Sequence, residues 1–218
     1  MIGATVFSRD AVWPHRCGLL LALAALGFRV RVSTWPGPLP ELAADSRVVF
    51  VRGADLEAFP AREDGPLRIP VLQQGANLSQ ADLGEPVTIG ALSRLLARHA
   101  AILVPDSERL ALKRALDELG ARGDGRDLLR ELNRLNGADL RALSAAWEQG
   151  HWSAVARLAH RFKGTGGVFG CPGVRVLAER VEHAAVAQDG SMVGLLLPVL
   201  RAAVLRLTLL PPAWLQEN

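Results

Sequence analysis

Over the first hundred residues, short Val- and Ile-rich runs alternate with stretches of helical period. The runs cover residues 4–8, 28–34, 47–53, 68–74 and 86–89. Residues 11–26 between the first two are long enough for a crossover helix, and 91–103 form another, with Leu92, Leu95, Leu96 and His99 on one face. Strands alternating with helices predict a small parallel sheet covered on both faces, and right-handed crossovers leave few ways to wire it.

The pattern then changes. Residues 108–119 read as a helix that stops at Gly120, and the Gly-rich charged stretch 120–127 reads as a break. From residue 126 on, no strand period remains. Leu128, Leu132, Leu135, Leu143 and Trp147 trace a helical stripe, with a kink expected at Asn136-Gly137. Residues 152–167 form a second helix. Val174, Leu177, Val181 and Ala184 mark a third, and 192–209 a fourth that Pro198 should break or bend. With turns at "QGH" and "QDGS", these four helices predict an up-and-down bundle. The expected organisation is an α/β domain over 1–104, a connecting helix and linker over 105–125, and an all-α bundle over 126–218.

Composition supports this division and narrows the function. Half of the 218 residues are hydrophobic and aromatics are scarce, so the core is built of Leu, Val and Ala. The formal charge of +3 comes from interleaved Arg, Asp and Glu, without the basic stripe that nucleic acid demands. Cys17 and Cys171 are too far apart for a zinc motif or a disulfide framework, which suits a reducing, cytoplasmic setting. The apolar run 18–28 is too short to span a bilayer, and the one near the C-terminus carries Arg201 and Arg206. Both read as buried helices, and no membrane association is expected.

The chemistry concentrates in "LAHRFKGTGGVFG", residues 158–170. On a helical wheel Val155, Leu158, Ala159, Phe162 and Phe169 share the core face. His160 stands with Ala156, Lys163, Gly164 and Gly167 at offsets of −4, +3, +4 and +7. Each helical Gly costs roughly 1 kcal/mol against Ala, so clearing the surroundings of a histidine must serve access. An exposed neutral imidazole is a nucleophile, and Lys163 supplies a donor for the charge that develops on a transferring group. "KGTGG" is not a phosphate-binding loop, since its order is Lys-Gly-Thr and no strand precedes it. No two histidines have helical ligand spacing, so no metal site is predicted. His15, His99, His151 and His183 show no comparable surroundings.

The stretch "GHWSAVARLAHRFKGTGG" resembles the signature of histidine-containing phosphotransfer domains, from residue 126 to about 209. The resemblance implies that His160 is a phosphoacceptor, that Lys163 steadies the phosphoryl oxygens, and that Gly164 leaves room for the partner. His151 stands where the family often has Asp. The implied partners are receiver domains of a hybrid sensor kinase or a response regulator, docking around Ala156, Gly164 and Gly167 with Lys163 and Arg161 at the rim. Magnesium would belong to that partner, and this chain would bind no cofactor. The reading is of a phosphotransfer intermediate, not a kinase with its own ATP site. The alternative is an adaptor that binds receivers without transferring phosphate. The chain could stand alone or end a hybrid kinase.

The first half resembles a degenerate, truncated receiver domain of flavodoxin-like order, on the strength of "IPVLQQGAN" followed by "EPVTIGALSRLL". Gly75 stands in place of the usual hydroxyl residue and Glu85 in place of the usual lysine. Arg52 and Gly53 end the strand where the phosphorylated aspartate belongs. Only Asp10 remains of the acidic pair, and Asp55 lies past the strand. The implied role is a pseudo-receiver kept as a docking or dimerising surface, and homodimerisation through it is one partner reading. An unrelated small α/β domain is the alternative.

Overall fold

The computed structural model describes residues 2–34, 46–58, 66–73, 83–120 and 125–208. The chain divides into two compact units, Met1–Leu96 and Ala97–Asn218.

The first unit is built on five parallel strands in the order β2-β1-β3-β4-β5. They are β1 (Ile2–Ser8), β2 (Phe28–Thr34), β3 (Ser46–Arg52), β4 (Leu67–Leu72) and β5 (Leu83–Gly84). β1 pairs with both neighbours, Val6 lying opposite Val32 on one side and Phe50 on the other, with a register shift against β3 between Gly3 and Ala4. Alternation then sorts the strands' side chains between two faces. Ile2, Ala4, Val6, Val48, Phe50, Ile69 and Val71 on one face are at most 1% exposed. On the other, Phe7, Val49 and Val51 pack with Leu56 of the 3-10 turn Gly53–Ala58. This is the predicted parallel α/β sheet.

Two details differ from expectation. The crossover helix is two pieces, α1 (Trp13–Arg16) and α2 (Leu19–Ala25), separated at Gly18. Gly18 has φ +80°, and a Cβ there would stand 2.8 Å from the Val87 carbonyl oxygen. The chain turns where another strand's exit passes close by, which only glycine permits. The fifth strand is Leu83–Gly84, not 86–89. Pro86 has no N–H for a ladder, Val87 N bonds to Cys17 O at 2.7 Å, and Ile89 already opens α3 (Ile89–Arg98). α3 ends ahead of His99, and Ala100–Ile102 continue as a 3-10 turn. Gly75 lies outside the described residues.

The second unit begins at Ala97, before the expected boundary at 104/105. Ile102, Leu103 and Val104 are buried in it. A Cβ on Gly173 would fall 1.9 Å from the Leu103 carbonyl oxygen, so this segment lies directly on another helix's first turn. Arg206 donates from Nε to Val104 O and from Nη2 to Asp106, at 2.8 and 2.9 Å. α4 (Asp106–Gly120) follows, with Leu112 and Leu116 buried.

The bundle proper is α5 (Gly125–Glu148), α6 (Trp152–Val168), α7 (Pro172–Val186) and α8 (Gly190–Thr208). Each packs on its sequence neighbour, and α5 closes the ring against α8. The turns between them use Gly150 at φ +68° and Gln188 at φ 56°. α5 is one uninterrupted helix through Asn136-Gly137. Its buried line is Leu129, Asn136, Leu140, Leu143 and Ala146, whereas Leu128 and Leu135 are exposed. α8 likewise continues through Pro198, whose ring lies on the exposed side. It is long and apolar enough to cross a membrane by length and composition. In this fold Val193, Leu196, Val199, Leu200, Ala203, Val204 and Leu207 place it in the bundle core.

Candidate functional site

α6 carries the site because its two faces differ. Val155, Leu158, Ala159 and Phe162 are buried against the bundle. His160 lies on the opposite face with its side chain 66% exposed. Ala156, one turn before it, is half-buried, and Gly164 and Gly167 are exposed. Phe169, expected in the core, is half-buried at the helix C-cap.

The glycines of α6 separate by what a side chain would meet. A Cβ on Gly166 would stand 2.6 Å from the Arg175 amide nitrogen, so α6 and α7 approach backbone to backbone there. A Cβ on Gly164 or Gly167 would meet nothing within 4 Å. Gly166 is required by internal packing. No contact among the described residues requires glycine at 164 or 167, and the space over them is open to a second molecule.

His160 and Lys163 are brought together by a residue that the sequence reading missed. Glu182 of α7 takes His160 Nδ1 on Oε1 at 2.9 Å and Lys163 Nζ on Oε2 at 2.5 Å. Its side chain is 19% exposed. The bond from Lys163 is the main cause that holds its carboxyl below the ordinary range; burial opposes it, and the bond from His160 adds a lesser lowering. A carboxylate accepts only, so His160 donates from Nδ1–H and keeps its lone pair at Nε2. Lys163 is thus paired with Glu182, not free beside the imidazole. Glu182 was legible in principle: Cys171 at the α6–α7 turn lies eleven residues after His160 (171 − 160) and eleven before Glu182 (182 − 171). Two helices folded back at that turn set the pair at one level.

Arg161 is held by Asp139 of α5 at 3.1 Å, with the acid's side chain 14% exposed. This fixes the cation next to the site. Among the described residues no cluster of three or more His, Cys, Asp or Glu could hold a metal ion. Cys17 and Cys171 are both buried, and neither is in a disulfide.

At the first unit's corresponding edge, β3 ends in Arg52 with no acidic side chain at the strand terminus. Asp55 lies in the 3-10 turn beyond it, buried, and accepts from Ser8 Oγ at 3.3 Å and Arg9 N at 3.0 Å. Glu85 accepts from Trp13 Nε1 at 2.6 Å.

Comparison with known proteins bears on the helical unit. No curated protein and no solved structure matches the chain. A family profile described as "Hpt domain" matches residues 127–208, a span that begins within α5 and ends with α8. The exposed histidine on α6, the cleared turn beside it and the four-helix ring lie inside that span, and the chain therefore carries an Hpt domain, the histidine phosphotransfer module of phosphorelay signalling.

Proposed function

We propose that His160 accepts a phosphoryl group from the phospho-aspartate of a receiver domain and passes it to a second receiver. The observation that carries this is the Nδ1–H···Glu182 bond, which leaves the Nε2 lone pair on the solvent side of an exposed ring. In the forward step Nε2 attacks phosphorus and the P–N bond forms. The P–O bond to the aspartyl carboxyl breaks, and that carboxylate leaves with the bonding pair. The Nδ1 proton stays in place, and the positive charge that develops on the ring is balanced by Glu182. No general base is needed, because the attacking nitrogen carries no proton. Catalysis is then positioning and charge stabilisation.

Lys163 lies within reach of the transferring oxygens and exchanges part of its hold on Glu182 for them as negative charge arrives. Gly164, Gly167 and Ala156 form the small-residue floor on which the receiver docks, with Arg161 at the rim. Magnesium is supplied by the receiver, and this chain contributes no metal ligand. The relay operates in the cytoplasm. The first unit acts as a pseudo-receiver, since β3 ends in a cation where an acceptor carboxylate would be needed.

Incubating the chain with a phosphorylated receiver tests the reading. Label should move to the chain as acid-labile, alkali-stable phosphate. Stable complex formation without transfer would instead make the domain a receiver-binding adaptor.

A further inference from the structure

In an open parallel sheet the crevice for a ligand lies beyond the carboxyl ends of the strands, where neighbouring connections leave in opposite directions. Here that point falls between β1 and β3, because the chain leaves β1 toward β2 and returns on the other side. Three arginines gather at this edge: Arg52 ends β3, Arg9 follows β1, and Arg16 closes α1.

The acids among them are already engaged. Asp10 Oδ1 accepts the amides of Val12 and Trp13 at 2.9 and 3.2 Å, and Oδ2 accepts Arg16 Nη2 at 2.6 Å. Asp55 takes Ser8 Oγ and Arg9 N. The donors are not matched. Arg52 Nη1 stands 4.0 Å from Asp10 Oδ2, outside hydrogen-bond reach, and its Nε is buried with no partner among the described residues. Arg9 reaches Asp55 only at 3.6 Å with its side chain 55% exposed, and Arg16 is 64% exposed. With Glu85, which accepts from the neutral Trp13 indole and keeps its charge, three carboxylates balance three arginines, so what stands unmatched at this edge is the buried N–H of Arg52 and not a surplus of charge. A buried guanidinium N–H without an acceptor is a rare arrangement that calls for a missing partner. Planar forks in this number match the oxygens of a phosphate group.

We propose that the first unit binds the phosphate group of a small molecule at the β1/β3 crevice, with Arg52 as the central ligand and Arg16 and Arg9 at the mouth. Asp10 and Asp55 act as orienting groups that hold the turn and the arginines. The proposal is independent of phosphotransfer at His160.

Isothermal titration of the full chain tests it, with sodium phosphate and with a phosphate monoester, glycerol phosphate, each against sodium chloride at matched ionic strength. Saturable heat is expected with both phosphates, tighter with the monoester if a phosphorylated metabolite is the natural source. Arg52→Gln should weaken binding by about tenfold or more, the scale of one charge-assisted hydrogen bond, and His160→Gln should leave it unchanged. Should R52Q fail to fold by circular dichroism, Arg16→Gln at an exposed position carries the comparison. Equal binding by R52Q and R16Q, heat reproduced by chloride (an adventitious ion only), absence of saturable heat, or loss of binding in H160Q would each overturn the proposal.

Discussion

At the residue scale, the site is a three-way bond among His160, Glu182 and Lys163. A hydrogen bond to a charged group contributes about 1.5–3 kcal/mol, and 1.36 kcal/mol is tenfold in rate. Glu182→Ala should therefore slow phosphoryl transfer about tenfold to a hundredfold in a stopped assay with a phosphorylated receiver. Glu182→Gln, whose amide oxygen still accepts from Nδ1–H, should recover part of that rate. The ring tautomer, read by nitrogen NMR, should be fixed with the proton on Nδ1 in wild type and mixed in E182A. Because the folded protein depresses the Glu182 carboxyl, its contribution to stability is complete above its ordinary value of 4.5 and is lost as pH falls through the lowered value. Thermal melts should show wild type losing more stability than E182Q across that acid window. Two glycines of α6 give a contrast of their own. Gly164→Leu should keep the fold and suppress transfer by blocking approach, whereas Gly166→Ala should destabilise the bundle, since its Cβ would meet the Arg175 backbone.

At the scale of elements, the hydrophobic period located every helix of the bundle but misjudged what interrupts one. Asn136-Gly137 reads as a kink and Pro198 as a break or bend, and α5 and α8 run as continuous helices through both. Packing on neighbouring helices outweighs the local propensity penalty. The stripe on the first half of α5 was displaced by one position, because Leu128 and Leu129 are both apolar and only the three-dimensional ring selects Leu129. Segment 97–104 gave no sign in the sequence of joining the helical unit. The contact that attaches it, Gly173 against Leu103, lies seventy residues away in the chain (173 − 103). Gly173→Ala should lower the melting temperature of the full chain despite the better intrinsic helix former, because the added carbon overlaps the Leu103 carbonyl. An unchanged or raised value would mean that the segment is not packed there.

At the scale of the whole molecule, the two units differ in how far sequence reaches. The Hpt unit was legible because its chemistry is local: His160, Lys163 and the glycines lie within one helix, so their offsets are visible in the chain. Glu182 was missed because it reaches the site from the next helix. In the α/β unit the strands were legible from their period. The edge was not, because the pairing of Asp10 with Arg16, and of Asp55 with Ser8 and Arg9, depends on loops that bring distant residues together. With Arg52 at the end of β3, that unit offers no acceptor carboxylate at the strand terminus, so one histidine should account for all phosphoryl groups that become covalently attached to the chain. The direct test is a time course of phosphoryl transfer from a phosphorylated receiver to the full chain and to His160→Gln, with receiver binding measured in parallel. Label is expected on wild type and none on H160Q, with receiver binding retained by both. Label persisting on the glutamine variant would contradict His160 as the acceptor.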